Sequence, residues 1–324
     1  MRVIVLGGTR FIGRAIVDAL VAAGQEPLVC HRGDTEPDGL PPVAHLHADR
    51  RHLRQHRDRL HTFAPDAVVD CLAMSADDAR AALDALPDDT LHRVVLSSQD
   101  VYRAFATLQH NGLATDSVPI TEAAPLRADR YPNEATGQEN YSKIEVEEIV
   151  LEAGATVLRL PMTYGPHDYQ RREEFVLRRV RAGRLHIPVG AANALLPLAL
   201  VDDVARGVVA AVERHADRGT IYNLAPAHTD PLAVWMQRIL TAASSSAALV
   251  RVPDGAPLPE DLGFTAACSQ ALVISSAKAR RELGYRDTDA DEAVSRSVMW
   301  HLQHPPEDVR GDFTEDDHAL AAAG

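Results

Sequence analysis

Two short segments of the sequence carry side chains that together could transfer a proton. In the first, Ser98 and Asp100 follow directly after an apolar run, and in the second, Tyr141 and Lys143 stand two residues apart. A hydroxyl can hold a carbonyl or hydroxyl oxygen, a phenol or a carboxylate can transfer a proton, and an ammonium group lowers the pKa of a nearby acid. Lys143 carries extra weight because only two of the 33 basic residues are lysine. These residues predict acid–base chemistry at a carbon that bears oxygen.

A glycine-rich segment near the start of the chain predicts a phosphate-binding turn. It reads Gly7-Gly8-Thr9-Arg10-Phe11-Ile12-Gly13 and lies between a short apolar strand and a helical segment. Gly7 permits a tight turn, and Gly13 lets the helix approach the strand. The N–H groups at the start of the helix then face a pyrophosphate. We therefore expect Gly7, Thr9, Arg10, Phe11, Ile12 and Gly13 to bind a dinucleotide.

The end of the second predicted strand indicates which dinucleotide is bound. An acidic residue there would bond the ribose 2′-hydroxyl of NAD, but the sequence reads Cys30-His31-Arg32-Gly33. Arg32 together with Arg10 could form a clamp for a 2′-phosphate, because guanidinium pairs with phosphate through two hydrogen bonds. We therefore expect NADP as the cofactor rather than NAD.

The elements that would position these residues alternate between strands and helices. Apolar and β-branched runs predict strands at 3–6, 27–30, 67–70, 94–96 and 156–160, with helical segments between them. This alternation predicts an α/β fold, a Rossmann-type doubly wound parallel sheet with helices on both faces. Ser98 then lies at the carboxyl end of a strand, where open α/β sheets bind ligands.

The rest of the chain predicts a second, smaller unit. We expect residues 1–165 and about 199–226 to form the dinucleotide-binding domain, and about 166–198 and 227–310 to form a discontinuous substrate-binding subdomain. Residues 103–138, which are rich in Thr, Pro, Asp and Asn, are predicted as a long functional loop. Residues 311–324 are polar and acidic and are predicted as a loosely held tail.

Several of these motifs resemble the atypical, extended short-chain dehydrogenase/reductases, which include the nucleotide-sugar epimerases and dehydratases. The glycine turn is similar to theirs, except that Arg10 replaces the middle glycine. The segment Ser97-Ser98-Gln99-Asp100-Val101-Tyr102 resembles their S-S-x-x-V-Y stretch, with Ser98 at the catalytic hydroxyl, and Lys143 matches the lysine of their Y-x-x-x-K helix. The resemblance implies that Lys143 binds the nicotinamide ribose. It implies further cofactor contacts at Asp49, Leu72, Ala73, Pro161 and Met162.

The family's catalytic tyrosine is replaced in this sequence. Four residues before Lys143 stands Glu139, whereas Tyr141 is only two residues away and would point to a different face of a regular helix. Three interpretations stay open: Glu139 transfers the proton, Tyr141 does so because the helix begins late, or hydride chemistry has been lost. We favour Tyr141, because a phenol can donate to a carbonyl and an ionised glutamate cannot. Asp100 remains a candidate base.

Composition excludes several other classes of protein. The net charge of −13 disfavours nucleic-acid or membrane-surface binding, and no apolar run approaches the ~20 residues of a membrane span. Three widely spaced cysteines fit a reducing cytoplasm. A cluster of histidines (His45, His47, His52, His56 and His61) lies among arginines. A zinc pair needs a third ligand and usually a nearby acid, so we predict a polar helix face there and no metal site.

These observations predict an NAD(P)-dependent oxidoreductase or epimerase that acts on a hydroxyl or keto carbon of a small metabolite or natural-product intermediate. The alternative is the same fold with non-redox chemistry, such as a lyase or cyclase, or a cofactor-sensing regulator. Family members often dimerise through the helix that carries Lys143, so a homodimer is expected.

Overall fold

The computed structural model describes residues 1–36, 39–86, 91–132, 138–214, 218–308 and 311–323. Apolar runs at the predicted positions form a central sheet of seven parallel strands in the order β10-β6-β5-β4-β1-β2-β3. The strand order reverses at β1, which pairs with both β2 and β4, so a crevice opens there at the carboxyl ends of the strands. The sheet strands are β1 (Arg2–Leu6), β2 (Glu26–His31), β3 (Ala44–His47), β4 (Ala67–Asp70), β5 (His92–Ser98), β6 (Thr156–Leu160) and β10 (Ile221–Asn223).

Helices cover both faces of this sheet, which confirms the predicted fold class. Apolar side chains of the sheet pack against α1 and α7 in one buried cluster and against the other helices in two more. The helices of this part of the chain are α1 (Phe11–Ala22), α2 (Arg57–Phe63), α3 (Ala76–Ala85), α4 (Arg103–Gln109), α5 (Lys143–Glu152) and α7 (Val201–Glu213). Short 3₁₀ helices span Arg50–His56 and Gln99–Val101.

A second hydrophobic core gathers around Trp235, Met236 and Leu262. Most of its members come from the segments predicted for the substrate-binding subdomain, but Tyr164 and Leu200 come from stretches predicted for the dinucleotide-binding domain. Its elements are β7 (Met162–Tyr164), α6 (Glu174–Arg181), β8 (His186–Val189), β9 (Leu198–Leu200), α8 (Leu232–Ala242), β11 (Ala248–Arg251) and α10 (Ala290–Gln303). Two small parallel pairs join β7 with β9 and β8 with β11. Helix α9 (Ala277–Glu282) instead packs through Ala279 against the core of the central sheet.

Three predictions about local structure are wrong. The stretch 103–138 begins with α4 instead of a loop, and its residues 133–137 lie outside the described part of the chain. Residues of the acidic tail form α11 (Thr314–Ala321), because Asp316 is buried against the guanidinium of Arg179. His45 and His47 lie on the edge strand β3 instead of a helix face.

Candidate functional site

The turn between β1 and α1 has the geometry of a dinucleotide cradle. Gly7 has φ +88°, and a Cβ on Gly13 would lie only 1.9 Å from the carbonyl oxygen of Gly7, so neither position tolerates a side chain without movement. Within the described residues, Arg10 at the N-cap of α1 makes no side-chain capping hydrogen bond. The first N–H groups of α1 are therefore available to an anion.

A cavity of about 890 Å³ opens from this turn along the carboxyl ends of the strands. It collects most of the residues that the sequence singled out, from positions 7 to 161. The predicted site residues that line it are Gly7, Thr9, Arg10, Phe11, Ile12, Gly13, Arg32, Asp49, Leu72, Ser98, Tyr141, Lys143 and Pro161.

Four predicted residues do not line this cavity. Asp100 does not reach its surface and contacts it through the hydroxyl of Tyr141. Ala73 is fully buried and contributes its carbonyl oxygen to Lys143 instead of facing a cofactor. Met162 lines a neighbouring cavity. Glu139 is exposed on the turn that precedes α5, so the structure does not bring it to the other candidate acid–base groups.

Tyr141 lies next to Asp100 and Ser98. Its hydroxyl donates a hydrogen bond of 2.6 Å to Oδ2 of Asp100 and also contacts the Ser98 hydroxyl. Burial raises the pKa of Tyr141 above its ordinary value, and the charge of Asp100 and its hydrogen bond raise it further. The phenol of Tyr141 and the carboxylate of Asp100 therefore form a hydrogen-bonded pair that could pass a proton, and the hydroxyl of Ser98 lies beside it.

The start of α5 explains why Tyr141 reaches this position. The helix begins at Lys143, and Ser142 caps it by accepting a hydrogen bond from the N–H of Glu145. Tyr141 therefore precedes the first helical turn, and the helical spacing that pointed it to another face does not apply. Ser142 with Glu145 three residues later is a recognised pattern for a helix start, so this signal was present in the sequence.

Lys143 is buried at the floor of the cavity. Its Nζ donates to the carbonyl oxygens of Ala73 at 2.7 Å and Leu96 at 3.0 Å. Burial lowers the pKa of Lys143, while the nearby carboxylates of Asp70 and Asp100 oppose that shift. An ammonium group has three N–H donors, so among the described residues one remains for a ligand.

The two arginines of the predicted phosphate clamp are engaged separately. The guanidinium of Arg10 lies 4.8 Å from the centre of the Tyr169 ring, and Nε of Arg32 pairs with Asp34 at 3.0 Å. Both arginines line the cavity, but each already has its own partner. Asp49 also lines it, although its carboxylate is held by Arg51, whose hydrogen bonds keep the pKa of Asp49 well below its ordinary value.

Several cavity residues were not identified from the sequence. Asp34 and Thr35 follow β2, and Tyr169, Gln170 and Arg172 follow the turn after β7. Irregular segments carry no periodicity, so only the tertiary fold brings these residues to the crevice.

A second cavity of about 500 Å³ adjoins the first, since Gln170 and Arg172 line both. Phe175, Trp235 and Phe264 supply aromatic surface to it. The indole N–H of Trp235 is buried and has no hydrogen-bond partner among the described residues. The wall of this cavity is therefore largely apolar and aromatic.

None of the helices in the described part of the chain combines the length and apolar character that a membrane crossing requires. The model of the NAD dependent epimerase/dehydratase family matches residues 3–225. Among curated proteins, the chloroplast stem-loop binding protein of 41 kDa b from Arabidopsis thaliana is 26% identical over 203 residues, which are 58% of this chain and 48% of that protein. The chain thus spans about half the length of this curated relative.

Solved structures are similar across almost the whole chain. The UDP-glucose 4-epimerase of Thermotoga maritima, solved with UDP-glucose, is 17% identical with a TM-score of 0.71, covering 94% of this chain and 100% of that one. The enzyme of Stenotrophomonas maltophila with bound NAD is 18% identical with a TM-score of 0.73, over 94% and 98%. A dTDP-glucose 4,6-dehydratase of Bacillus anthracis in complex with NAD is 14% identical with a TM-score of 0.70, over 94% and 97%. At these identities the likeness establishes the fold.

Proposed function

The chain belongs to the NAD dependent epimerase/dehydratase family, and on this premise we propose that it is an oxidoreductase or epimerase acting on a hydroxyl-bearing or keto carbon of a small metabolite. The observation that carries the proposal is the 2.6 Å hydrogen bond from Tyr141 to Asp100. Tyr141 lines the wall of the large cavity together with Ser98 and Lys143, and Asp100 lies behind Tyr141. The pair offers a proton acceptor and a proton donor at one place.

The cavity suits a nicotinamide dinucleotide. Its glycine turn lets α1 begin close against β1, because a Cβ on Gly13 would collide with the carbonyl oxygen of Gly7, and α1 offers its first N–H groups to a pyrophosphate. When bound, the nicotinamide would accept or donate the hydride. Lys143, whose third N–H is available, would bond a ribose hydroxyl, and Pro161 would line the same wall.

Proton movement follows from the contacts of Tyr141. In the oxidative direction, the substrate hydroxyl gives its proton to the Tyr141 oxygen while the phenolic proton passes to Oδ2 of Asp100. In the reductive direction both protons return. A raised pKa makes a free phenolate a poor resting form, so the carboxylate of Asp100 supplies the basicity. The Ser98 hydroxyl holds the reacting oxygen beside Tyr141.

The substrate is proposed to enter from the second cavity. Because Gln170 and Arg172 line both cavities, a molecule there can extend one end to Tyr141. Trp235 and Phe264 provide planar apolar contact for the remainder. The UDP and dTDP sugars named for the similar structures are the first compounds to test.

We propose NADP as the preferred cofactor because β2 ends in His31 and Arg32 without a carboxylate at its last residue. Asp34 argues against NADP, because it lines the cavity and its carboxylate already pairs with Arg32. The same family also contains NAD-dependent members by its description. The choice is therefore a question of which partner Arg32 takes when a cofactor binds.

The experiment has two stages. Binding of NADPH and NADH is first measured by nicotinamide fluorescence, and sugar nucleotides and small carbonyl compounds are then screened by nicotinamide absorbance and product analysis. For a converted substrate, Tyr141→Phe and Asp100→Asn should each lower kcat about 10²–10⁴-fold. Glu139→Gln is the matched control and should change kcat by no more than a few-fold.

Two results would contradict the proposal. If Tyr141→Phe and Asp100→Asn keep the kcat of the wild type, the proton does not pass through these two residues. A large loss of kcat in Glu139→Gln would instead assign the proton transfer to Glu139. A protein that binds NADPH tightly but converts no compound would support the cofactor-sensing regulator instead.

The Arabidopsis relative is named for binding a stem-loop. The net charge of −13 works against the phosphate contacts that such binding needs. We therefore propose a small-molecule substrate and no nucleic-acid partner.

A further inference from the structure

Three histidines share one face of the sheet edge formed by β2 and β3. In the parallel pairing of these strands, His31 lies opposite His47, and His45 lies two residues before His47. Side chains two residues apart in a strand point to the same face, and so do residues paired across strands. The register therefore places the three imidazoles side by side, although His31 lies outside the cluster His45–His61 that stands out in the sequence.

A carboxylate completes this group. Glu36, from the segment after β2, approaches His47 with 2.5 Å between Oε1 and Nε2. The same oxygen lies 3.5 Å from Nε2 of His31, which in turn lies 2.8 Å from Nδ1 of His45. One ligand atom from each of the four residues falls within 4.8 Å of all the others. The third imidazole and the acid that the sequence lacked are thus supplied by tertiary structure.

We propose that His31, Glu36, His45 and His47 bind one divalent transition-metal ion, with Zn²⁺ as the best match. Three imidazoles and one carboxylate form a closed set of four ligands of the kind that zinc prefers in tetrahedral sites. Zinc–nitrogen bonds of about 2.0–2.1 Å place neighbouring tetrahedral ligand atoms about 3.4 Å apart. The contacts of 2.5 and 2.8 Å need to open by less than about 1 Å to meet this spacing, and ligand atoms as much as 4.8 Å apart need to approach by about 1.4 Å.

The charges around the site favour a cation. Asp34 and Glu36 contribute negative charge beside His31. Arg59 opposes them, since its guanidinium donates to the carbonyl oxygen of His45 at 2.9 Å.

Metal binding has a defined structural consequence at His31. The N–H of Gly33 donates to Nδ1 of His31 at 3.2 Å, so the neutral ring carries its own proton on Nε2. A metal ion on Nε2 moves that proton to Nδ1, and the contact with Gly33 is lost. The segment from Gly33 to Glu36 must therefore rearrange when the ion binds.

The same segment borders the large cavity. Thr35 contacts Thr9 of the glycine turn at 3.1 Å between the two hydroxyl oxygens, and Arg32 and Asp34 line the cavity. The ion is thus expected to change dinucleotide affinity by shifting these residues. This coupling rests on the proposed function, whereas binding of the ion does not.

The test uses the full chain with any affinity tag removed and with metal stripped by a chelator. Co²⁺ is titrated and followed by its visible absorption, which reports four-coordination, and Zn²⁺ affinity is obtained by calorimetry or competition. The wild-type protein should bind one equivalent. His47→Gln and Glu36→Gln remove partly exposed ligands and should weaken binding by at least about tenfold, the scale seen when even a partner of a ligand is removed.

His61→Gln is the matched control, because His61 is exposed on α2 outside the group of four. It should bind as the wild type does. Zn²⁺ should also raise the Tm of the wild type and the control but not of the two ligand variants, whose Tm without metal shows that they are folded. No stoichiometric binding by the wild type, or equal affinity in His47→Gln, would overturn the site. If Zn²⁺ binds but NADPH affinity is unaffected, the metal site stands and the coupling fails.

Discussion

Helix α5 carries two polar clusters, one helical turn apart, that differ in how completely their members are paired. The inner cluster is centred on Glu147, which accepts hydrogen bonds from Ser97 at 2.6 Å and from Arg159 at 2.9 and 2.7 Å, and both members of the ion pair are almost fully buried. The outer cluster is formed by Tyr141 and Lys143 at the start of the helix, and both line the large cavity. A buried charge whose bonds are all made by the protein stabilises the fold, whereas a group with a donor left over can act on a ligand.

Two neighbouring serines on β5 show that a structural residue and a candidate site residue can be adjacent in the sequence. The hydroxyl of Ser97 bonds Glu147, while the hydroxyl of Ser98 contacts Asp100 and Tyr141. Successive residues of a strand point to opposite faces, so one residue of register separates a structural hydroxyl from a candidate site hydroxyl. Residue type alone therefore cannot tell them apart.

The largest stability effect is expected at the inner cluster. Glu147→Ala leaves the guanidinium of Arg159 buried without its carboxylate, which should cost about 3–5 kcal/mol in the free energy of unfolding. Tyr141→Phe removes one hydrogen bond and should cost about 1 kcal/mol. Urea denaturation of the two variants measures the difference. Equal losses would remove the distinction between the inner and the outer cluster.

Lys143 tests the outer cluster by binding and by pH. Lys143→Met should weaken NADPH binding about tenfold to a hundredfold, the scale of a charge-assisted hydrogen bond of ~1.5–3 kcal/mol.

The pH dependence of stability tests the same residue. Because the folded protein lowers the pKa of Lys143, the unfolded chain binds more protons than the folded protein at pH values between the pKa of Lys143 in the folded protein and its pKa in the unfolded chain. Stability of the wild type relative to Lys143→Met should therefore rise with pH in the alkaline range below the ordinary lysine pKa of 10.5. A difference that falls or stays flat across that range would contradict the burial of a charged ammonium.

The ion pair of Arg32 and Asp34 is exposed, so it can be compared with the buried pair of Glu147 and Arg159. Both side chains are more than half exposed, so breaking the pair should change stability by about 0–1 kcal/mol. Arg32→Asp should nevertheless weaken NADPH about tenfold to a hundredfold, with little change for NADH. Asp34→Asn frees Arg32 and should strengthen NADPH. If Asp34→Asn instead weakens NADH binding, and does so more than Arg32→Asp, then Asp34 is the ribose ligand and the cofactor is NAD.

The sequence predicted the sheet well and its edge poorly. Strands β1, β4, β5 and β6 are short continuous apolar runs, which is the pattern of strands buried on both faces. β3 reads Ala-His-Leu-His and has one exposed face, so its histidines suggested a polar helix. Its assignment depends on pairing with β2, which no local pattern contains.

The candidate site was predictable where it follows a strand or a glycine turn. Ser98, Gly7 and Gly13 occupy positions that βαβ topology fixes. The choice between Glu139 and Tyr141 depended on the first residue of α5, and helix ends are the least certain part of a sequence-based prediction. Arg179 and Asp316 show the limit most clearly, because an acidic segment becomes a helix only through a partner far away in the sequence.

The ion pairs of Arg179 also order events during synthesis. Its guanidinium is fully buried and bonds Asp261 and Asp316, which follow it by 82 and 137 residues. At about 5–20 residues per second, a ribosome needs on the order of ten seconds to deliver the second carboxylate. Until then Arg179 has at most one of its two carboxylate partners, Asp261, and the core around Trp235 is destabilised by a buried cation that is only partly neutralised. The strands of the dinucleotide-binding sheet up to β6 are available throughout that delay, so the nascent chain should present a nearly formed nucleotide cradle before it has a substrate cavity.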